Sequence, residues 1–231
     1  MSENETKRYT IIVAGGSGKR FGGKLPKQFL PLNGKAVLMR TIEKFDQAGA
    51  SIVVVLPGEH QEMWLAMCKD SNFPVTHTIA TGGKTRFESV KNGIAAIEGL
   101  NDNDLVAVHD GVRPLASVEL INRCYDTAQK SGSAIPVVNP SDSIRQVLDD
   151  GSSRQLLRSS LRAVQTPQTF RAELLRGAYE VEESPLFTDD ASVVESAGHQ
   201  VTLVEGEMTN IKITTPIDMY LADKLTKNEL A

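Results

Sequence analysis

Residues 13–30, VAGGSGKRFGGKLPKQFL, hold the densest set of chemistry-bearing groups in the chain. Gly15, Gly16 and Gly18 fall among the cations Lys19, Arg20, Lys24 and Lys27, four positive charges within nine residues. The β-branched apolar run at 10–13 reads as a buried strand that ends in this glycine turn. A strand closing on glycines leaves backbone N–H groups free to point into one concavity, and flanking cations suit that concavity to a phosphate chain. Spacing excludes two common cradles. A P-loop, counted back from Gly18-Lys19, would need glycine at Val13 and a magnesium-binding hydroxyl at Arg20. The dinucleotide fingerprint started at Gly16 meets Phe21 at its third glycine, and the next strand ends in Leu56-Pro57 without an acid for the ribose.

What remains is Gly16-Ser17-Gly18-Lys19-Arg20 followed by Pro26-Lys27-Gln28. This resembles the GxGxR and PK signature of sugar-nucleotide pyrophosphorylases and nucleotidyltransferases. The bland alternative is a tight strand-to-helix turn with a solvated basic rim.

The elements that must position this cradle alternate between strand-like and helix-like stretches, which predicts a mostly parallel sheet covered on both faces. Leu38, Ile42 and Phe45 mark a helix over 36–47 stopped by Gly49, and SIVVVL at 51–56 is a second buried strand. Met63, Trp64 and Met67 on a short helix over 61–69 read as core rather than a cofactor box. A weaker strand at 75–80 ends in Gly82-Gly83, before a helix that starts near Thr85 or Arg86 and buries Val90, Ile94 and Ile97. This second glycine pair lies where ligands bind in open α/β sheets, and with the first it suggests two walls of one pocket. The fourth strand, 104–108, runs into His109-Asp110-Gly111, which can present a carboxylate at the pocket mouth. His109 itself reads more readily as a packed residue than as an acid-base group.

Beyond a strand at 135–138 the pattern changes. Residues 143–148 and 155–161 flank Asp149-Asp150-Gly151-Ser152-Ser153, which reads as a hairpin with an Asp-Gly turn. Further expected elements are helices at 172–181 and, capped by Thr188-Asp189-Asp190, up to Ala197; strands at 201–204 and 210–213; and a last helix opened by Pro216 with Ile217, Tyr220, Leu221 and Leu225 on one face.

Composition bounds the function. A chain of 231 residues with a net charge of −4 lacks the broad basic surface that a nucleic-acid binder needs, so the local cations point to a small anionic ligand. Cys68 and Cys124 stand apart on apolar helical stretches as core thiols, without zinc-ligand spacing. The polar start MSENETKRY and the lack of a long apolar run predict a soluble cytoplasmic protein without a membrane span. No linker or repeat divides the chain, and a single domain over 1–231 is expected.

Taken in order, AGGSGKRF with PKQFL, GGKTRFESV, HDGVRP, SDSIR, QTPQTF, TDDAS and VEGEMTNIKIT resemble the 2-C-methyl-D-erythritol 4-phosphate cytidylyltransferase family over nearly the whole chain. The resemblance implies a Rossmann-like α/β fold of the nucleotide-diphospho-sugar transferase type, a mostly parallel sheet with helices on both faces and a protruding β-hairpin arm at 139–161. It further implies a homodimer in which each arm completes the partner's site, the alternative being an intramolecular flap. The implied activity is CMP transfer from CTP to 2-C-methyl-D-erythritol 4-phosphate, with Mg2+ carried mainly by the triphosphate. By the same resemblance, Arg20 and Lys27 are the cations on the triphosphate, and Ala14, Gly15, Gly16, Ser17 and Gly18 hold phosphates and ribose. Gly83, Arg86, Ser89 and Gly111 surround the nucleoside. Asp110, Arg113, Thr166 and Lys212 surround the polyol phosphate, and Ser143 and Arg158 reach in from the arm to hold its phosphate. Lys84-Thr85 departs from the acidic residues common there, and Ser143 replaces a usual threonine.

Such a reaction needs no general base, because a phosphate monoester is largely a dianion at pH 7, its second pKa being about 6. The absence of a Ser-His-Asp set or paired carboxylates agrees with this. Two rivals stand beside it: a ribitol-phosphate cytidylyltransferase, and a nucleotide sensor that keeps the pocket without turnover.

Overall fold

The structure is a computed structural model that describes residues 6–16 and 25–227. Ser17, Gly18 and Arg20, with Lys19 and Lys24, lie outside the described residues.

Strand alternation writes the architecture. In β1 (Arg8–Val13), β4 (Ser51–Leu56) and β6 (Leu105–Asp110), successive apolar side chains enter opposite cores. Ile12, Val54 and Ala107 join one, and Ile11, Val55 and Val108 the other. Strands buried on both faces need a helix layer on each side. Helices α1 (Val37–Gln47), α2 (Gly58–Asp70) and α4 (Val118–Ser131) supply one layer through Phe45, Trp64 and Tyr125. On the other side lie α3 (Arg86–Ala95), α5 (Ala172–Ala178) and α6 (Asp190–Ser196), with Val90, Leu175 and Val194.

With β5 (Thr78–Thr81), β7 (Ser133–Val138) and β11 (Gln168–Arg171), the strand order is β5-β4-β1-β6-β11-β7. All are parallel except β11, which runs antiparallel to both neighbours. Two short strands extend the β7 end, β10 (Ala163–Val164) antiparallel and β12 (Leu203–Glu205) parallel. The expected mostly parallel sheet covered by helices on both faces is therefore present. Register places the chemistry: Val13 lies opposite both Val55 and Asp110, and Leu56 opposite Thr81. The turns that follow β1, β4, β5 and β6 therefore emerge along one rim, the carboxyl edge where open α/β sheets take ligands.

Apart from this sheet, β2 (Pro31–Leu32) and β3 (Lys35–Ala36) pair as a short antiparallel ribbon. Helix ends follow local chemistry. Ser117 caps α4 by accepting from the Leu120 N–H at 2.9 Å, and Gly132 takes φ +86° at its C-terminal end. Asp189 caps α6, and Thr85 caps α3 by accepting from the Glu88 N–H.

Four expectations are corrected. The strand predicted at 75–80 is confined to Thr78–Thr81, because the preceding backbone turns to bond a side chain: His77 Nδ1 lies 2.9 Å from the Val75 carbonyl. Residues 210–213 form no strand, since the Ile211 N–H is drawn back to Thr209 and only Ile213 bonds across, to the Val112 carbonyl. In the hairpin, β8 (Arg145–Val147) pairs with β9 (Ser153–Gln155) around the Asp150-Gly151 turn, where Gly151 has φ +79°. Its second strand thus ends at Gln155, and residues 158–160 make a short 3-10 turn instead. Finally, α7 (Pro216–Thr226) turns Ile217 and Tyr220 outward, 68% and 62% exposed, and buries Ala222. Ala222 shares a small core with Leu32, Val112 and Ile213, against which Met219 also packs. The anchoring of Ile213 sets the phase of the helix.

Candidate active site

Along the rim, β1 is followed by Ala14, whose N–H bonds the Val55 carbonyl, and the chain then passes through the exposed Gly15 and Gly16. The chain returns in a 3-10 turn, Lys27–Phe29, and the aliphatic stem of Lys27 passes Gly16 so closely that a Cβ there would stand 3.8 Å from its Cε. Phe29 is buried, stacked on the Trp64 ring at 5.9 Å with the His60 ring against its edge. Lys27 is thus held on a packed element beside the glycine backbone. The expected partners Ser17, Gly18 and Arg20 belong to the stretch outside the described residues.

The second wall follows β5. The Gly82 N–H bonds the Leu56 carbonyl, and the Gly83 N–H donates to Ser89 Oγ at 3.1 Å. Ser89 in turn donates to the Thr85 carbonyl. Gly83 permits this fold-back, since a Cβ there would stand 2.2 Å from that of Glu88. At the head of β6, the Gly111 N–H bonds the Val13 carbonyl, and a Cβ on Gly111 would press on Ala14 and Leu38 at 3.0 and 3.2 Å. Glycine at 111 therefore lets the β6 turn close against the β1 turn.

At the approach to β11, past the head of β6, opens a cleft of ≈ 290 Å³, lined by Arg86, Asp110, Arg113, Thr166, Asp189 and Lys212 among others. Asp110 is its charge centre: Oδ2 lies 3.0 Å from Lys212 Nζ and 3.2 Å from Arg113 Nε. Burial works to raise the Asp110 pKa, but the positive charges of Lys212, Arg86 and Arg113 together outweigh it and hold the carboxyl well below the usual range. Arg113 also donates to the Asn210 carbonyl at 2.7 Å, which joins β6 to the segment carrying Lys212.

Thr166 takes part through a relay. The Asp110 N–H donates to Thr166 Oγ1 at 3.1 Å, that hydroxyl donates to His109 Nδ1 at 3.0 Å, and His109 Nε2–H donates to the Arg113 carbonyl. A carbonyl only accepts, so the proton sits on Nε2 and Nδ1 is the acceptor. Full burial of the ring, the largest influence, lowers the His109 pKa to about 4. His109 is a packed, neutral scaffold residue, in keeping with the preferred reading. Arg86 faces the cleft while both of its terminal nitrogens bind Asp190, at 2.9 and 2.6 Å. Asp190 is fully buried and also accepts from the Tyr179 hydroxyl at 2.6 Å.

Ser143 and Arg158 are not brought to this cleft. Both are exposed on the hairpin segment, with Arg158 donating to the Ser141 carbonyl. Sequence reasoning passed over Asp190, Asn210 and the His109–Thr166 relay; the signal for Asp190 was present in TDDAS, a buried acid beside a capping acid. Both cysteines are free thiols: Cys124 is buried in the core as expected, whereas Cys68 is only half-buried at its edge, and burial pushes the two up to about 12 and 11.

Of metal ligands, the described residues hold no group of three or more His, Cys, Asp or Glu placed for an ion. The cleft carboxylates are already engaged, Asp110 by Lys212 and Arg113, and Asp189 by Gln168 and the Ser192 N–H. No described helix is long and apolar enough to cross a membrane.

The chain is similar to known proteins over nearly its full length. The family model for 2-C-methyl-D-erythritol 4-phosphate cytidylyltransferase matches residues 9–228. Proteins of that description from Bacteroides thetaiotaomicron and Porphyromonas gingivalis are 49% and 47% identical to the chain, over 95% and 96% of its length and 99% and 98% of theirs. The crystal structure of the Thermus thermophilus cytidylyltransferase superposes with a TM-score of 0.75 at 32% identity, covering 96% of this chain and 100% of that one. That of the 4-diphosphocytidyl-2C-methyl-D-erythritol synthase from Anaerococcus prevotii reaches 0.80 at 27%, over 96% and 99%. With its glycine cradle, its buried Asp110 between two cations and this agreement along nearly its full length, the chain belongs to the 2-C-methyl-D-erythritol 4-phosphate cytidylyltransferase family.

Proposed function

We propose that the chain transfers CMP from CTP to 2-C-methyl-D-erythritol 4-phosphate, releasing pyrophosphate and forming 4-diphosphocytidyl-2-C-methyl-D-erythritol for isoprenoid precursor synthesis. The observation that carries this reading is the cluster of Lys212, Arg113 and Arg86 around Asp110 at the sheet rim, beside the β1 glycine turn and Lys27. An oxygen of the polyol phosphate attacks the α-phosphorus of CTP, and the bond to the bridging oxygen breaks as pyrophosphate leaves with the electron pair. The attacking group is already an anion, so the protein's task is to assemble two repelling reactants and stabilise the charge that develops.

Ala14, Gly15, Gly16, Ser17 and Gly18 are assigned to the triphosphate and ribose, with Lys27 and Arg20 on the developing charge. Gly83, Ser89 and Gly111, with Arg86 fixed by Asp190, wall the nucleoside. Asp110 is assigned to polyol hydroxyls and Lys212 to the polyol phosphate, with Arg113 and Thr166 holding Asp110 in place. Mg2+ is assigned to the triphosphate oxygens, where it would offset negative charge; engaged cleft carboxylates favour that site over a protein cage.

A homodimer through the 139–161 arm follows as part of the proposal, with 1–231 as one domain. Val147 and Leu157 on the arm segment are 73% and 69% exposed, and an isolated two-stranded hairpin is marginal in water. Ser143 and Arg158, remote from their own cleft, are assigned to the partner's. Charged metabolites as both substrates support a cytoplasmic enzyme with no nucleic-acid or membrane partner. Incubation with CTP, Mg2+ and either 2-C-methyl-D-erythritol 4-phosphate or ribitol 5-phosphate, followed by pyrophosphate release, tests the assignment. Turnover is expected with the first; turnover with ribitol 5-phosphate alone would reject it.

A further inference from the structure

Gln28 belongs to no part of the machinery assigned above, yet its side chain joins two parts of it. It is 1% exposed on the turn that carries Lys27, and its Nε2–H donates to the Ala14 carbonyl at 2.7 Å. A carbonyl only accepts, so this contact also fixes which way the amide faces. Ala14 is then held from both sides, its N–H by Val55 and its C=O by Gln28. On one flank of Gln28, Phe29 is locked against Trp64; on the other, Lys27 runs beside Gly16. The amide fastens Ala14, the first residue after β1, to the turn bearing the cation. Its Oε1 is buried without a hydrogen-bond partner among the described residues. An apolar side chain would fill the same space but leave the buried Ala14 carbonyl unpaired, so the amide is accounted for by that hydrogen bond and not by packing.

We propose that Gln28 is a positioning residue for cytidylyl transfer: by clamping the Ala14 carbonyl it fixes the spacing between the backbone that receives the triphosphate and the Lys27 side chain. The inference rests on the cytidylyl-transfer reading. Gln28 touches neither reactant; it acts through Ala14 and Lys27, whose separation matters most once charge moves onto the triphosphate.

The test uses full-length Gln28→Glu, which keeps the shape but replaces the donor by an acceptor, and Gln28→Met, which removes both. With CTP, Mg2+ and 2-C-methyl-D-erythritol 4-phosphate, both are expected to lower kcat by about 10-fold or more while each KM stays within about threefold, in protein shown to be folded at the assay temperature. A kcat within about twofold of wild type in either variant, or a loss confined to KM, overturns the proposal. Should neither variant fold, hydrogen exchange on the unaltered protein decides. The Phe29 and Leu30 amides, bonded to Pro26 and Lys27, are expected to exchange slowly without ligand, and exchange at the rate of an open loop overturns the clamp. A wild-type protein that gives no turnover rejects the reaction itself; a wild type that turns over beside undiminished variants rejects only the clamp.

Discussion

Lys27→Ala removes a cation held on a packed turn, and the expected outcome is a fall in kcat of about 100-fold or more with the fold intact, as for loss of a preorganised donor. Steady-state kinetics with pyrophosphate detection reads this, and an unchanged kcat takes Lys27 out of the reaction. Asp190 poses the opposite case, a residue whose work is structural. Its buried carboxylate receives two bonds from Arg86 and one from Tyr179, so Asp190→Ala leaves a guanidinium and a phenol without their acceptor. Part of the guanidinium reaches solvent, which places the expected destabilisation near the lower end for broken buried pairs, about 3 kcal/mol. Urea denaturation measures it, and a change under about 1 kcal/mol would mean that Arg86 finds another partner.

At the scale of elements, the hairpin makes the sharpest prediction. If Arg158 serves the partner's cleft, an inactive Arg158→Ala subunit mixed with an inactive Lys27→Ala subunit regains activity, because one of the two sites in each mixed dimer is whole. Exchange proved by tagged subunits without any rescue would instead place the arm on its own chain. The hairpin was legible because Asp150-Gly151 demands a turn, whereas the length of its strands was not, since exposed residues such as Arg145 and Gln155 carry no inward pattern. β1, β4 and β6 were legible for the converse reason, being apolar on both faces. The α7 face was misread because the core that Ala222 joins is built by Leu32, Val37 and Val112, residues distant in sequence from the helix. Residues 210–213 likewise look like a strand on composition, but Ile211 bonds back within its own segment. Lys212 nevertheless meets Asp110, because a cation near a buried acid depends on where the segment passes and not on its ladder.

For the whole molecule, buried His109 ties stability to pH. Its folded pKa of about 4 lies below the ordinary 6.5, so on acidification the unfolded chain takes up a proton first. The stabilisation is complete above about pH 6.5 and is lost as pH falls toward about 4, a difference on the order of 3 kcal/mol. Asp110 acts with the same sign further down: its folded pKa lies below the ordinary 3.8, so its contribution is full above 3.8 and is lost as pH falls from there through the folded value. Denaturant melts between pH 7.5 and 4.5 should show the decline, and a His109→Gln variant should show a flatter profile from a lower plateau. A wild-type profile flat over that range would contradict the neutral buried ring. The aromatic packing behind the cleft offers a different return. Trp64 is the chain's sole tryptophan, stacked on Phe29 two positions from Lys27 and donating its indole N–H to His77. Its emission is therefore an intrinsic optical gauge of that segment, and nucleotide titrations can be followed by light in unlabelled protein.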